Sequence, residues 1–104
     1  MNIKEALTYD DILLVPQCSD IRSRSEINIQ SVLRGFVIDT PCDLPVIASP
    51  MDTVSEAAMG IAMHQSGGLA IIHRYNTIEK QAALVKVVVA SGSKAAAAIG
   101  VSGD

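Results

Sequence analysis

Between Pro45 and His73 the chain reads PVIASPMDTVSEAAMGIAMHQSGGLAIIH, and this order constrains the fold more than any other stretch. Val46-Ile47-Ala48 is a short continuous apolar run, the texture of a strand buried on both faces of a parallel sheet. Thr53 and Glu56 stand at the T-x-x-E spacing of a capping box, which satisfies two orphan amide donors at a helix start. The spacing predicts a helix from about Val54 to Ser66, stopped by Gly67, a good left-handed terminator. Ala57, Ala58, Ile61 and Ala62 supply a face of small residues suited to close packing on a sheet. Leu69 to Ile72 reads as a second buried strand. Strand, loop, helix and strand in that order make one and a half turns of a parallel βα repeat.

The pattern continues past this segment. A second helix is predicted from Asn76 or Thr77, with Ile78, Ala82, Val85 and Val89 on one face. Leu84 to Val89 is β-branched enough to read as a strand instead. Ser91-Gly92-Ser93 breaks the element, and Ala96 to Val101 is a third buried strand, followed by Ser102-Gly103-Asp104. Residues 1–44 differ in texture. Tyr9 to Pro16 is an apolar run closed by proline, while Glu26 to Ile29 and Gly35 to Asp39 are short strand candidates. This is an irregular, short-stranded lead-in covering one end of a larger body, with the βαβαβ portion occupying 45–104. Three strands and two helices do not close a core. A (β/α)₈ barrel takes roughly 250 residues, and an open sheet usually wants about four to six strands. The chain therefore reads as the front part of a larger α/β domain, truncated or incompletely sampled.

Composition removes several function classes. A net charge of −3 gives no basic footprint for nucleic acid, and the pair Arg22 and Arg24 is flanked by Asp20 and Glu26. No apolar run approaches the roughly 20 residues of a membrane span. The amino terminus MNIKEALTYDD lacks an apolar signal-peptide core, so the expected location is cytoplasmic. Cys18 and Cys42 are too few and too far apart for a metal site or a disulfide framework, and are expected to be reduced, partly buried thiols.

The candidate ligand contacts lie where strands end. Ser49-Pro50-Met51-Asp52-Thr53 follows a strand and precedes a helix amino terminus, where amides and the helix dipole favour polar or anionic ligands. Ser49 offers a hydroxyl, Met51 an adaptable apolar surface for a flat ring, and Asp52 an acceptor. Ordinary turn chemistry accounts for the same residues. His73 and Arg74 end the second strand on the same rim: either a histidine bonded to backbone beside a solvated arginine, or a pair meeting a phosphate or a base. Ser23-Arg24 is a solvated turn, or a phosphate contact if a partner subunit brings a ligand there. His64 is explained by the helix dipole, and the Met51, Met59 and Met63 spacing by a core. No G-x-G-x-x-G, P-loop or H-E-x-x-H pattern is present, which weakens a Rossmann-type reading.

YDDILLVP, SPMDTVSEAAMGIAMHQSGG and LAIIHRYNTIEKQ together resemble the amino-terminal part of the IMP dehydrogenase/GMP reductase family, from about Leu7 to Gly103. The resemblance implies a (β/α)₈ (TIM) barrel acting on a purine mononucleotide, IMP or GMP, with NAD or NADP, usually as a homotetramer. It implies that Ser49, Met51 and Asp52 line the nucleotide site. It implies that His73 and Arg74 face the cofactor region, and that Ser23-Arg24 meets the cofactor across a subunit boundary. SPMDTVSE, the SGG-LAIIH join and AAAAIGV are more similar to the dehydrogenase, while SRSE and HRY are more similar to the reductase. The nucleotide loop tips the expectation to IMP dehydrogenase, IMP to XMP with NAD, with GMP reductase, GMP to IMP with NADPH, as the alternative. The regulatory pair of cystathionine-synthase-like modules typical of the dehydrogenase is missing, since Lys86 to Ser93 runs straight into the third strand. The family's nucleophilic cysteine matches neither Cys18 nor Cys42, so no catalytic residue is assigned and the 104-residue chain is expected to be inactive. A non-catalytic module docking on a full-length homologue through its third-strand edge is the remaining expectation.

Overall fold

The computed structural model describes residues 1–34 and 40–102. In chain order its elements are β1 (Ser31–Leu33), β2 (Thr40–Cys42), β3 (Ile47–Ala48), α1 (Ala57–Gln65), β4 (Leu69–Ile72), α2 (Ile78–Ala90) and β5 (Ala96–Ala97). β1 and β2 form an antiparallel ribbon, with Val32 opposite Pro41. β3, β4 and β5 form a parallel sheet in that spatial order, with Ile47 beside Leu69 and Ile72 beside Ala97. Each parallel step is bridged by a helix, as parallel pairing requires. The core is small: Leu69, Ala70 and Ile72 of β4 are almost wholly buried, together with Val88 of α2.

The stop of α1 follows the sequence. Ser66 ends the helix, the Gly67 amide donates to the His64 carbonyl and the Gly68 amide to that of Met63. This is the paired closure of a Schellman motif, with Gly67 at φ +88° in the left-handed position.

The start does not follow it. α1 begins at Ala57 with Glu56 as its cap residue, three positions later than Val54. Thr53 has φ 61°, which rules out the extended backbone of a capping threonine. The predicted Thr53–Glu56 box is replaced by bonds across the fold, described below. The expected small-residue face is also rotated. Gly60 is the buried position, while Ala58 and Ala62 face outward. An added Cβ at Gly60 would lie 2.9 Å from Val88 Cγ2, so this glycine lets α2 approach α1 closely.

α2 starts as predicted, the Thr77 hydroxyl accepting the Lys80 amide at 3.2 Å. Its inward face is Gln81, Leu84, Val85 and Val88. The predicted stripe is off by about one residue, and leaves Ile78 and Val89 80% and 57% exposed. β5 is shorter than the predicted strand, though the Ala98 amide extends the pairing by donating to the Ile72 carbonyl at 2.9 Å.

In the lead-in, Arg24–Glu26 is a single 3₁₀ turn and not part of a strand. The Ser23 hydroxyl accepts the Ser25 amide and the Glu26 carboxylate accepts the Arg22 amide, so local side-chain bonds bend the backbone. The strand predicted at Glu26–Ile29 forms later, at Ser31–Leu33. Gly35–Asp39 lies outside the described residues. Cys42 is buried but Cys18 is exposed, so only one thiol fits the expected burial.

Candidate functional site

Parallel strands deliver their carboxyl ends to one rim. Ser49 follows β3, His73 follows β4 and Ala98 follows β5. The loop leaving β3 is a tight fold of its own: the Met51 carbonyl accepts both the Val54 amide (3.2 Å) and the Ser55 amide (2.9 Å). Thr53 reaches left-handed φ inside this turn, an uncommon state for a β-branched residue. Ser49, Met51 and Asp52 are exposed along the loop, Met51 to 55%.

Beneath the loop lie three residues whose contacts hold it. Ser55, almost fully buried, donates its hydroxyl to the Ser49 carbonyl. The Ser55 carbonyl in turn accepts the His73 amide at 3.2 Å. His73 is 1% exposed, and both its ring nitrogens are engaged. Nδ1 accepts the Tyr75 amide at 3.1 Å, which leaves the ring proton on Nε2. Nε2 then donates to Glu56 Oε1 at 3.0 Å, while Asp52 Oδ1 stands 3.9 Å away, beyond hydrogen-bond reach.

Arg74, next along, is exposed with its guanidinium 5.7 Å from the centre of the Tyr75 ring. A hollow of about 530 Å³ runs along α2, lined by Ile78, Ala82, Val85 and Val89. Another, of about 510 Å³, opens at the rim beside Arg74, Asn76, Thr77, Gln81, Ala98 and Ile99. The carboxamide of Asn76 is buried there without a hydrogen-bond partner among the described residues. Gln81 closes the floor, its Nε2 donating to the carbonyls of His73 (3.1 Å) and Ala98 (2.8 Å).

The structure thus brings Ser49, Met51, Asp52 and Arg74 to one rim, with His73 inside it. Ser23 and Arg24 are exposed in the lead-in, where the Ser23 hydroxyl lies 2.8 Å from that of Ser25. Among the described residues no group of three His, Cys, Asp or Glu could hold a metal ion. No helix among them is long and apolar enough to cross a membrane. Sequence reasoning missed Ser55 and Gln81, whose side chains bond backbone carbonyls that no local pattern points to. It found Glu56 but gave it the wrong partner, since T-x-x-E spacing looks the same whether the glutamate turns back to its own helix or across to a neighbouring strand.

Comparison with known proteins identifies the family. The family model described as IMP dehydrogenase / GMP reductase domain matches residues 6–101. The chain is 47% identical over 94 residues to inosine-5'-monophosphate dehydrogenase of Nitrosopumilus maritimus (strain SCM1), covering 89% of this chain and 19% of that protein. It is 42% identical over 86 residues to GMP reductase of Leishmania donovani, covering 83% of this chain and 17% of that one. The crystal structure of GMP reductase from Trypanosoma brucei in complex with guanosine 5'-triphosphate superposes with a TM-score of 0.69 at 43% identity, over 80% of this chain and 19% of that one. The chain spans about a fifth of the length of these relatives. On this match, which runs through the rim loop and both crossover helices, the chain belongs to the IMP dehydrogenase/GMP reductase family.

Proposed function

We propose that this chain forms one wall of the nucleotide site in a purine-nucleotide oxidoreductase, an IMP dehydrogenase converting IMP to XMP. The observation that carries the reading is the exposed Ser49–Asp52 loop, held at the rim of a parallel sheet inside a family match spanning residues 6–101. Met51 offers a polarizable face to a flat purine, and Ser49 and Asp52 offer a hydroxyl and a carboxylate for its polar edge or its ribose. The βαβαβ unit is the opening portion of a (β/α)₈ barrel, which keeps such loops at the carboxyl ends of its strands.

The rim hollow suits the cofactor. Arg74 carries an exposed guanidinium for a phosphate, and the orphaned Asn76 carboxamide supplies a polar group awaiting a partner. Arg74 and Asn76 would hold NAD here, with Ser23 and Arg24 contributing from another subunit, and the bound cofactor would supply a hydride acceptor. His73 acts from inside, as the brace of the loop.

GMP reductase is the second reading. It is favoured by the superposition on the Trypanosoma brucei reductase, and it would run GMP to IMP with NADPH. The dehydrogenase is preferred on the nucleotide loop, where SPMDTVSE is more similar to that branch.

Exchanging the matching 94 residues of the Nitrosopumilus enzyme for this chain tests both readings. The chimera is expected to reduce NAD with IMP; oxidation of NADPH with GMP alone would favour the reductase, and neither activity in a folded chimera would refute both. The 104-residue polypeptide alone is expected to transfer no hydride, because neither Cys18 in the lead-in nor the buried Cys42 stands at the rim.

A further inference from the structure

Glu56 occupies the cap position of α1, yet its side chain makes no capping bond. Aspartate, asparagine, serine and threonine are the residues that cap well, since their short side chains reach the first free amides. The chain places a longer acid here and aims it elsewhere, at His73 Nε2, 3.0 Å away. That histidine is buried and fixed on its other side by the Tyr75 amide, so its Nε2–H needs one acceptor. Two carboxylates stand near it: Glu56, partly buried and bonded, and Asp52, exposed and 3.9 Å away.

We propose that Glu56 is a positioning residue for the nucleotide loop: by holding the His73 N–H it fixes the His73–Ser55–Ser49 relay and leaves Asp52 free for the ligand. Without Glu56, the nearest replacement acceptor is Asp52. Its capture by His73 would pull the loop inward and withdraw the carboxylate from the rim. A cap forgone at α1 is therefore exchanged for order in the loop beside it.

The proposal rests on reading Ser49–Asp52 as a nucleotide loop, and the test separates the two. Amide hydrogen exchange is measured by NMR on the ligand-free protein at Ser55 and His73, with α2 amides as internal reference, in Glu56→Gln, Glu56→Asp and Glu56→Ala. IMP is then titrated into each. Glutamine keeps the reach and an acceptor oxygen; aspartate keeps the charge, loses the reach and is the better cap.

Glu56→Asp and Glu56→Ala are expected to speed exchange at Ser55 and His73 by about tenfold relative to α2, the loss of one charge-assisted bond. Glu56→Gln is expected to stay within about threefold of the parent on the same grounds. IMP-induced shifts at Ser49–Asp52 should weaken in the same order. A purely capping role predicts the reverse, with Glu56→Asp slowing exchange, and that result overturns the proposal. So does equal acceleration at α2 in Glu56→Asp and Glu56→Ala. One wall of the site is expected to bind IMP weakly at most, so the nucleotide reading stands or falls with the chimera, while the exchange ranking, which needs no ligand, decides the role of Glu56.

Discussion

Thr53 and Gly60 show how single residues set two tight points of this fold. Thr53 adopts φ 61° within the loop after β3, a state that costs an L-residue roughly 1–2 kcal/mol. Glycine avoids that cost but loses about 0.5–1 kcal/mol of backbone entropy on folding. Thr53→Gly is therefore expected to raise stability by about 0.5–1 kcal/mol in urea unfolding; a clear loss would mean that the Thr53 side chain has a bonded role. Gly60 works through space and not through φ. A Cβ there would meet Val88 Cγ2 at 2.9 Å and Ile72 Cδ1 at 3.7 Å. Gly60→Ala gains about 1 kcal/mol of helix propensity but overpacks the close approach of α1 to Val88 of α2, at a cost of about 1–3 kcal/mol. A net loss of up to about 2 kcal/mol is expected, and a gain in the same unfolding experiment would show that the helices separate freely.

The elements differ in how far local sequence determines them, for physical reasons. The stop of α1 was evident because Gly67 and Gly68 close a helix by backbone geometry, which depends on nothing distant. The start of α2 was evident because Thr77 caps it locally. The facing of both helices was not evident. AAMGIAM and ALVKVVVA are apolar nearly all round, so periodicity carries little phase, and the phase is decided by Val88 fitting over Gly60. The rim residues Ser49, Met51 and Asp52 could be placed from strand–loop–helix order, whereas the brace under them could not. Ser55, Glu56 and His73 meet only once β4 lies beside β3. The corrected phase of α2 has a direct check. Val88→Ala removes a fully buried side chain and is expected to cost about 2–3 kcal/mol, while Val89→Ala, mostly exposed, should cost less than about 0.5 kcal/mol. A larger cost for Val89→Ala than for Val88→Ala would restore the phase read from the sequence.

The whole molecule is open. It exposes 8726 Å², whereas a compact monomer of this mass exposes about 5600 Å². Its radius of gyration is 18.1 Å, against about 13 Å for a compact domain of this length. Much of the excess is apolar: Leu13 and Leu14 in the lead-in, and Ile78 and Val89 on the outer face of α2. Such patches bind hydrophobic dyes and other proteins. The purified chain is expected to enhance anilinonaphthalene sulfonate fluorescence and to sediment faster as concentration rises. Ile78→Gln with Val89→Gln should reduce both effects, and a dye-silent monomer at every concentration would contradict this picture.

The adjacency of β3, β4 and β5 bears on how the molecule forms. Strands that are neighbours in sequence are also neighbours in space, each linked by one short helical crossover. Loop-closure entropy is therefore modest at each step, and contacts of this kind form early in folding. The first crossover alone joins Ser49 to His73, so this half of the rim can assemble from one local unit during synthesis, ahead of any contact made by β5.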